Sequence, residues 1–507
     1  MKILLINPEC APTRSPEVYN VGLAYIASSL REDGHAVDLV DLNMLRYVYK
    51  WQTKEQGRKI IKSRLEQGKY DALAMGTLIT AYNYVKWLCA EIKAINPEIP
   101  VWVGNSVASS IPELFLKTTQ ADVVVIGEGE ITVKELAKAT ASRDDLSKVK
   151  GIYYKKNGQI IKTTPQTLVQ DLDSLPRPAY DLFAQELYIR LSPSRVGKRG
   201  FCLGVSIRGC PFHCTFCYHA YQGTGIRCQS AHRMIEDLIY AKSKYNFDSF
   251  GWTDDELVAN RKRMYEFCTL LEKEKIRERW GATARVDDIT QDLLKRMKSA
   301  GCRWLGIGIE SGSQTILDNI KKGVTVGQAK RALELCKRIG IQAEFSLMIG
   351  NVGETRSTIQ ETVAFVKEID YPPPSFFNIA TPYPQTQLWD DAKSQGLIKN
   401  ELAVIQSYGE QGQKLVVNFT QFSDGELLQI KKYTEQLMRK NYIRRHPFSP
   451  LKREFQKLFY FLRTDGLAIT FFRGLQLLAR KILRNPNIRW EFIYRKHGRS
   501  NAEALIY

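Results

Sequence analysis

The chain has 507 residues and a mass of 58.0 kDa, a length that exceeds one compact core and indicates about three domains. Hydrophobic residues make up 44% of it and charged residues 25%, which excludes a disordered chain and a membrane bundle. The formal net charge is +19, but residues 431–507 hold 18 Lys and Arg against 5 Asp and Glu. A nucleic-acid footprint over the whole surface is therefore disfavoured. We expect a cytoplasmic protein, since no secretory signal is visible.

Residues 1–145 alternate short apolar strands with amphipathic helices. Strands are predicted at residues 3–7, 36–42, 71–77, 100–105 and 121–130, with helices at residues 22–33, 54–67 and 82–95. Apolar strands that alternate with helices indicate a doubly wound, Rossmann-like parallel sheet that is covered on both faces. Ligands of such sheets bind beyond the carboxyl ends of the strands. The loops that follow the strands are therefore the candidate binding segments.

A hairpin and a linker separate this region from a second α/β region. The pair Asn157 and Gly158 is typical of a two-residue hairpin turn, and two prolines follow in residues 173–183. Further strands are predicted at residues 203–207, 247–255, 303–312, 343–350 and 376–381. Repeated strand–helix units predict a full or partial β/α barrel whose active site faces the carboxyl ends of its strands. We predict four regions: a sheet domain at 1–145, a hairpin and linker at 146–195, a barrel at 196–400, and a basic, mostly helical region at 401–507.

Three cysteines lie close together in RGCPFHCTFCYHA, residues 208–220. Cys210, Cys214 and Cys217 follow a predicted buried strand, and three thiolates can hold three corners of a cubane iron–sulfur cluster. The fourth iron would keep an open position for a substrate, as a catalytic zinc does. A zinc site completed by His213 or His219 is the alternative. It fits less well, because structural zinc usually pairs two knuckles that are far apart in sequence.

The C-x3-C-x2-C spacing, with the aromatic Phe216 before the last cysteine, resembles the hallmark of the radical S-adenosylmethionine (SAM) superfamily. Downstream segments are similar to the same superfamily: WTDDE (252–256), ATARVDDIT (282–290), GIGIESGSQTILDNIKKG (306–323), MIGNVGET (348–355) and TPYPQTQLWDDAKSQGLI (381–398). The resemblance implies a 4Fe–4S cluster on the three cysteines. It also implies SAM contacts at six residues: Phe216, Asp254, Glu310, Ser311, Ala380 and Thr381. Val352 stands where the superfamily usually has proline, and Gln385 where it usually has glycine.

The first domain resembles the N-terminal domain of the cobalamin-binding (class B) radical SAM enzymes, through residues 7–8, 21–43 and 123–132. This resemblance covers roughly residues 1–400. It implies cobalamin contacts at nine residues: Asn7, Pro8, Thr77, Gly104, Asn105, Gly127, Glu128, Gly129 and Glu130. No D-x-H-x-x-G motif occurs, and His35 lies at the start of a strand. We therefore expect base-off cobalamin with no protein histidine on cobalt; a sheet domain without a cofactor is the alternative.

The resemblance implies an enzyme, and a methyltransferase above all. A 5′-deoxyadenosyl radical would abstract a hydrogen atom from an unactivated carbon, and the substrate radical would then take the methyl group from methylcobalamin. Oxidation, cyclisation or rearrangement without methyl transfer is the alternative, and the sequence does not separate the two. An RNA-modifying methylthiotransferase would need three clustered cysteines in the first domain, where only Cys10 and Cys89 occur. No catalytic acid, base or radical-quenching residue can be singled out.

The remaining expectations concern partners and the C-terminal tail. We expect a small-molecule or lipid-borne substrate and an electron donor such as flavodoxin or ferredoxin. In residues 451–484, apolar and basic residues recur at helical spacing, and Gly466 and Gly474 favour two short helices over one. These helices either cap the barrel with their apolar stripe or lie on an anionic membrane surface, which would make the enzyme peripheral to the membrane.

Overall fold

The structure is a computed structural model, and it describes residues 1–10, 16–51, 53–192, 197–218, 224–374, 376–409 and 412–448. The strands are β1 (Lys2–Asn7), β2 (Ala36–Asp41), β3 (Ala72–Gly76), β4 (Val101–Gly104), β5 (Val123–Val125), β6 (Ile152–Lys156), β7 (Gln159–Lys162), β8 (Gly200–Cys202), β9 (Ile207–Arg208), β10 (Arg227–Cys228), β11 (Ser249–Gly251), β12 (Arg279–Ala284), β13 (Cys302–Glu310), β14 (Gln342–Ile349) and β15 (Phe376–Ile379). The α-helices are α1 (Val21–Glu32), α2 (Leu42–Tyr49), α3 (Glu55–Gln67), α4 (Tyr82–Ile95), α5 (Ser106–Ser109), α6 (Pro112–Thr118), α7 (Gly129–Ser142), α8 (Gln185–Leu191), α9 (Ala231–Lys244), α10 (Arg261–Lys273), α11 (Gln291–Ser299), α12 (Gln314–Asn319), α13 (Val326–Ile339), α14 (Arg356–Ile369), α15 (Gln387–Ser394), α16 (Glu401–Ser407) and α17 (Asp424–Arg445).

The first sheet has the strand order β2-β1-β3-β4-β5-β6-β7. Strands β1 to β5 are parallel, whereas β6 and β7 continue the sheet as an antiparallel hairpin. Alternate residues of one strand serve opposite faces: Ile3 and Leu5 pack with α1 and α7, and Leu4 and Ile6 pack with α4 and α6. This is the covered, doubly wound sheet that the apolar strands predict. The hairpin around Asn157 and Gly158 is also confirmed, and it belongs to this sheet.

The second sheet is an open half-barrel with the order β15-β14-β13-β12-β11-β8, parallel throughout. Helices α9, α10, α11, α13 and α14 cover its outer side and share one apolar core with it. The predicted partial β/α barrel is thus confirmed. A parallel sheet of this kind presents its ligand sites at the carboxyl ends of the strands.

Residues 208–218 contain the three clustered cysteines, and we name them the cysteine loop. The strand that leads into this loop differs from the prediction. We expected residues 203–207 to form a barrel strand, but the barrel strand is β8, which ends at Cys202. Residues 203–206 are irregular, and β9 pairs with β10 in a separate two-stranded ladder. The reason lies in Gly204, whose φ of +119° suits glycine and bends the chain out of the barrel sheet.

The chain returns to the first domain after the last barrel strand. Trp389 of α15 and Ile405 of α16 are buried in the same apolar cluster as α4 and the first sheet. Asn83 donates a hydrogen bond to the carbonyl of Gln406 at 2.7 Å. The first sheet is therefore covered in part by a segment that follows the barrel.

The described part of the C-terminal region ends just after α17, which packs on α14 through the buried Leu427 and Met438. The tail interpretation concerns residues 451–484, which lie outside the described residues. Over the described ranges up to residue 448, no helix is both long enough and apolar enough to cross a membrane.

Candidate active site

The cysteine loop is held at its base by the β9–β10 ladder, in which Arg208 is paired with Arg227. Gly209 follows with a φ of +95°, and a Cβ atom there would lie 2.5 Å from the carbonyl oxygen of Gly225. Only glycine allows this close approach. The amide of Thr215 donates to the carbonyl of Ile320 at 3.0 Å, which ties the middle of the loop to the barrel. The loop is thus fixed at both its base and its centre.

The three cysteines line one cavity of about 500 Å³ at the carboxyl end of the barrel, which we name the cluster cavity. Burial raises the pKa of Cys217 to about 12 and also raises the pKa of Cys210, so both stay thiols until a metal ion binds. Among the described residues, no three His, Cys, Asp or Glu side chains converge on a point that one metal ion could occupy. A cubane carries its three thiolates on three separate irons. Three cysteines that line one cavity suit the three protein ligands of such a cluster. His219, one of the two candidate zinc ligands, lies outside the described residues.

The floor of this cluster cavity is Trp304, whose indole packs against two glycines of the barrel. A Cβ atom at Gly281 or Gly306 would lie 2.6 or 2.7 Å from the Trp304 ring. Thr283, Ile307 and Phe345 complete the apolar wall. The tryptophan fills the lumen, so that ligands are restricted to its upper part, beside the cysteines.

A pair of opposite charges lies in the wall of the cluster cavity. Glu310 has a φ of +72° and follows a register shift in the β13–β14 pairing, and such bulges redirect side chains beside active sites. Its carboxylate accepts hydrogen bonds from Lys322 Nζ and Ser346 Oγ, each at 3.3 Å. A Cβ atom at Gly308 would lie 2.6 Å from Glu310 Oε1. A carboxylate and an ammonium group side by side fit the zwitterionic amino-acid end of SAM.

The structure brings some of the six predicted SAM residues together and separates the others. Phe216 and Glu310 line the cluster cavity, whereas Asp254 does not. The Asp254 carboxylate is buried and accepts hydrogen bonds from the Ser206 amide at 2.7 Å, the Ser206 hydroxyl at 2.5 Å and the Ile207 amide at 3.2 Å. It therefore anchors the chain that enters the cysteine loop.

The other three predicted SAM residues also lie outside the lining of the cluster cavity. Ser311 is buried against Thr362, with 3.1 Å between the two hydroxyl oxygens. The Ala380 amide donates to the carbonyl of Ile349 at 2.8 Å, and the Thr381 hydroxyl donates to the carbonyl of Ile379 at 3.0 Å.

Asp255, the second aspartate of the WTDDE segment, also lines the cluster cavity. Sequence reasoning missed five further polar residues of this cavity: Glu256, Arg285, Lys322, Glu344 and Ser346. Glu256 ends the WTDDE segment and Lys322 lies in the IKKG segment, so proximity to a motif was the available signal. The Arg285 guanidinium lies 3.4 Å from the centre of the Phe212 ring, in the cysteine loop. A cation over an aromatic face at this distance stabilises both groups.

A second cavity, of about 270 Å³, lies at the carboxyl edge of the first sheet. We name it the sheet-edge cavity. It is lined by Gly104, Asn105 and residues 127–130, as expected, and by Trp102 and Met75, which sequence reasoning missed. Gly127 has a φ of +72°, and a Cβ atom there would meet nothing within 4 Å. The open space at Gly127, beside an apolar wall, fits a broad, amide-bearing ligand such as cobalamin.

Three predicted cobalamin residues lie at the same sheet edge but outside the lining of this cavity. Asn7 donates to the buried Asp41 at 2.8 Å. The hydroxyl of Thr77 lies 2.6 Å from the sulfur of Cys10, and Cys10 donates to the carbonyl of Pro8 at 3.4 Å. His35 lies at the opposite edge of the sheet, where its Nδ1 is 3.3 Å from the amino terminus.

The cysteine loop forms part of both cavities. Its cysteines line the cluster cavity, while Arg208 and Tyr218, at the two ends of the loop, line the sheet-edge cavity. Burial raises the pKa of Tyr218 to about 12, so this phenol is neutral at physiological pH. A single loop therefore separates the two candidate cofactor sites.

Both domains match known protein families. The radical SAM superfamily model matches residues 205–366, and the B12 binding domain model matches residues 12–137. An uncharacterised methyltransferase of Pyrococcus horikoshii is 35% identical over 411 residues, which cover 78% of this chain and 84% of that protein. The chain belongs to the cobalamin-binding radical SAM enzymes. It therefore uses a 4Fe–4S cluster, SAM and cobalamin, together with a reductant and a small-molecule substrate.

One further relative and one solved structure are also similar to this chain. The anaerobic magnesium-protoporphyrin IX monomethyl ester cyclase of Rubrivivax gelatinosus is 26% identical over 402 residues, covering 77% of this chain and 70% of that protein. The radical SAM methyltransferase TsrM of Kitasatospora setae, solved with tryptophan and a SAM analogue, superposes with a TM-score of 0.65 at 16% identity. This superposition covers 78% of this chain and 77% of that chain, and it supports the fold.

Proposed function

We propose that this radical SAM enzyme is a methyltransferase that places a methyl group on an unactivated carbon of its substrate. The observation that carries the proposal is the position of the cysteine loop, which lines the cluster cavity and borders the sheet-edge cavity. The methyltransferase of Pyrococcus horikoshii, the more similar of the two relatives, supports the same activity.

The protein's own residues would bind and orient the reactants. Cys210, Cys214 and Cys217 hold the cluster, and Glu310 with Lys322 holds the amino-acid end of SAM. When bound, the cluster and SAM supply one-electron chemistry at carbon, and cobalamin supplies the methyl group. Trp304 and Phe345 exclude water from the lumen. Such positioning accounts for most of what a protein adds to cofactor chemistry.

The remaining predicted contacts are part of the same proposal. Phe216 packs beside the cluster. Asp254, Ser311, Ala380 and Thr381 act on SAM indirectly, through the loop and strand ends that they fix. Gly104, Asn105 and the backbone of residues 127–130 form the cobalamin cradle, which binds the cofactor base-off without a histidine on cobalt. Asn7, Pro8 and Thr77 support the neighbouring strand end.

A second candidate function is a radical oxidation or cyclisation without methyl transfer. The relative in Rubrivivax gelatinosus, a cyclase, is the observation that favours it. Both candidates use the same cofactors and differ in what becomes of the substrate radical. Only the product separates them.

The substrate source, the electron donor and the location complete the proposal. We infer that flavodoxin or ferredoxin supplies the electron. A substrate carried in lipid would be consistent with a basic tail that contacts an anionic membrane surface. The competing interpretation, in which the tail caps the barrel, is tested by flotation with anionic liposomes, with and without residues 449–507.

The test is an anaerobic reaction of the reconstituted enzyme with SAM that carries a labelled methyl group, in an extract of its own cells. A product that gains the labelled methyl is expected. A new product without the label would establish the second function instead. The Cys210→Ala variant is the control, because it must form neither product nor 5′-deoxyadenosine. Nitrogen splitting in the electron paramagnetic resonance spectrum of cob(II)alamin would contradict the histidine-free cofactor.

A further inference from the structure

The two glutamates of the GEGE segment do not direct their carboxylates into open space. The side chains of Glu128 and Glu130 are only 2% and 7% exposed. Both residues border the sheet-edge cavity, yet their carboxylates contact arginines of the barrel. A buried carboxylate requires such partners, since an unpaired buried charge is strongly unfavourable.

The partners are Arg208 and Arg227, the cross-strand pair at the base of the cysteine loop. Arg208 Nη2 donates to Glu130 Oε1 at 2.5 Å, and its Nη1 lies 3.1 Å from Glu128 Oε1. Arg227 Nη1 donates to Glu128 Oε1 at 2.8 Å. The two arginines are 11% and 10% exposed. We call these four residues the latch.

Two residues of the latch, Glu128 and Arg227, also contact the backbone of the linker. The amide of Val169 donates to Glu128 Oε2 at 2.6 Å, and the carbonyl of Val169 accepts from Arg227 Nη1 at 2.6 Å. Glu128 is therefore held between two arginines and a backbone amide. Charge-assisted hydrogen bonds of this kind are shorter and stronger than neutral ones.

Three tyrosines hold the preceding segment in the same direction. Tyr19, Tyr180 and Tyr25 donate their hydroxyl protons to backbone carbonyls between the end of β8 and β9. These acceptors are Cys202, Leu203 and Val205, with oxygen–oxygen distances of 3.3, 2.7 and 3.2 Å. The chain from the end of β8 to the cysteine loop is thus fixed by groups of the first domain and the linker.

We propose that Glu128, Glu130, Arg208 and Arg227 are positioning residues that set the cysteine loop against the sheet-edge cavity, and so align the two cofactors. The proposal rests on the proposed cofactor sites. Arg208 is two residues before Cys210 and lines the sheet-edge cavity, so its guanidinium fixes the side of the loop that borders this cavity. The GEGE carboxylates thereby acquire a role in alignment rather than in direct binding of cobalamin.

Alignment matters for one of the two reactions of SAM and not for the other. Cleavage of SAM at the cluster requires only the barrel. Transfer of the SAM methyl group to cobalamin requires both sites in register, and a misplacement of about 1 Å can cost on the order of 100-fold in rate. Loss of the latch should therefore separate the two reactions.

The experiment uses the Arg208→Gln and Glu130→Gln variants of the full chain, reconstituted anaerobically with iron, sulfide and cobalamin. Transfer of a labelled methyl group from SAM to bound cobalamin is measured beside 5′-deoxyadenosine formation. We expect methyl transfer to fall about 10- to 100-fold while 5′-deoxyadenosine formation stays within about twofold. Arg31→Gln is the matched control, because Arg31 makes a two-bond contact with Asp181 of the linker, at 3.0 and 2.8 Å, outside the latch.

A spectroscopic measurement independent of turnover accompanies the rates. A nearby reduced cluster speeds the relaxation of the cob(II)alamin signal, so its microwave-power saturation reports their mutual position. Altered saturation in both latch variants, at full iron and cobalamin content, supports the proposal. The proposal is overturned if the latch variants show the saturation of the wild-type protein together with unchanged methyl transfer. It is also overturned if methyl transfer and 5′-deoxyadenosine formation fall equally. If Arg208→Gln does not take up the cluster, the isosteric Glu130→Gln decides by the same criteria. Wild-type protein that takes up no cobalamin would overturn the proposed function itself.

Discussion

Removal of the Asp254 carboxylate tests whether this residue anchors the cysteine loop. In Asp254→Ala, the buried amides of Ser206 and Ile207 lose the carboxylate oxygen to which both donate, and the Ser206 hydroxyl loses the other oxygen. An unsatisfied buried polar group costs about 1–3 kcal/mol. From the two amides alone, we expect a loss of about 2–6 kcal/mol in unfolding free energy.

The matched variant is Asp254→Asn. Its amide oxygen can accept from both backbone amides, and its NH2 group can donate to the Ser206 hydroxyl, so we expect a loss of at most about 1 kcal/mol. Urea unfolding of the cofactor-free protein measures both variants, and iron content after reconstitution reports the loop. Equal stability of the two variants would refute the anchoring role. Full stability of Asp254→Asn with lost SAM binding would show that the carboxylate contacts SAM instead.

Three further predictions follow from the same geometry. Replacing any one of the three cluster cysteines by alanine should abolish iron uptake and SAM cleavage. The control Cys228→Ser, outside the cluster cavity, should retain both. Full SAM cleavage in any of the three alanine variants would refute the ligand set. Gly209→Ala should prevent cluster assembly, because its Cβ atom would lie 2.5 Å from the carbonyl oxygen of Gly225. Gly225→Ala should still assemble the cluster, because its Cβ atom would meet nothing within 4 Å. The iron content of the two reconstituted variants measures the difference. Burial raises the pKa of Glu354 to about 7 from 4.5, so its neutral form favours folding at low pH. That contribution, at most about 3 kcal/mol, is lost as the pH rises from about 4.5 to 7, and Glu354→Gln should lack this slope in urea unfolding.

The alternation of strands and helices was predictable because each strand of a covered parallel sheet is apolar along its whole length. Strands β1 to β4 lie where the apolar runs indicate them. Residues 203–207 were assigned wrongly, since an apolar run does not reveal that Gly204 has a φ of +119° and leaves the sheet. Periodicity reports burial, and residues 203–207 are largely buried without forming a barrel strand.

The cysteine loop was predictable because its ligands are close together in sequence. The wall of the cluster cavity was only partly predictable, since Glu310 and Lys322 are brought together by the positive φ of Glu310 and a register shift in β13. The pairing of Glu130 with Arg208 joins residues 78 positions apart. A single sequence contains no signal for such a contact, and a strand-end glutamate resembles a ligand-binding residue whether or not an arginine faces it.

The return of α15 and α16 to the first sheet has a consequence for folding during synthesis. Trp389 and Ile405 belong to a group of buried residues after the barrel that complete an apolar cluster built mainly from the first 125 residues. Until the ribosome has translated the barrel, helix α4 has an uncovered apolar surface, and its partner is nearly 300 residues away. Domains generally fold in order from the amino terminus, but here the first sheet can reach its final burial only after the last barrel strand. A nascent chain of this enzyme would present that surface to chaperones for most of its elongation.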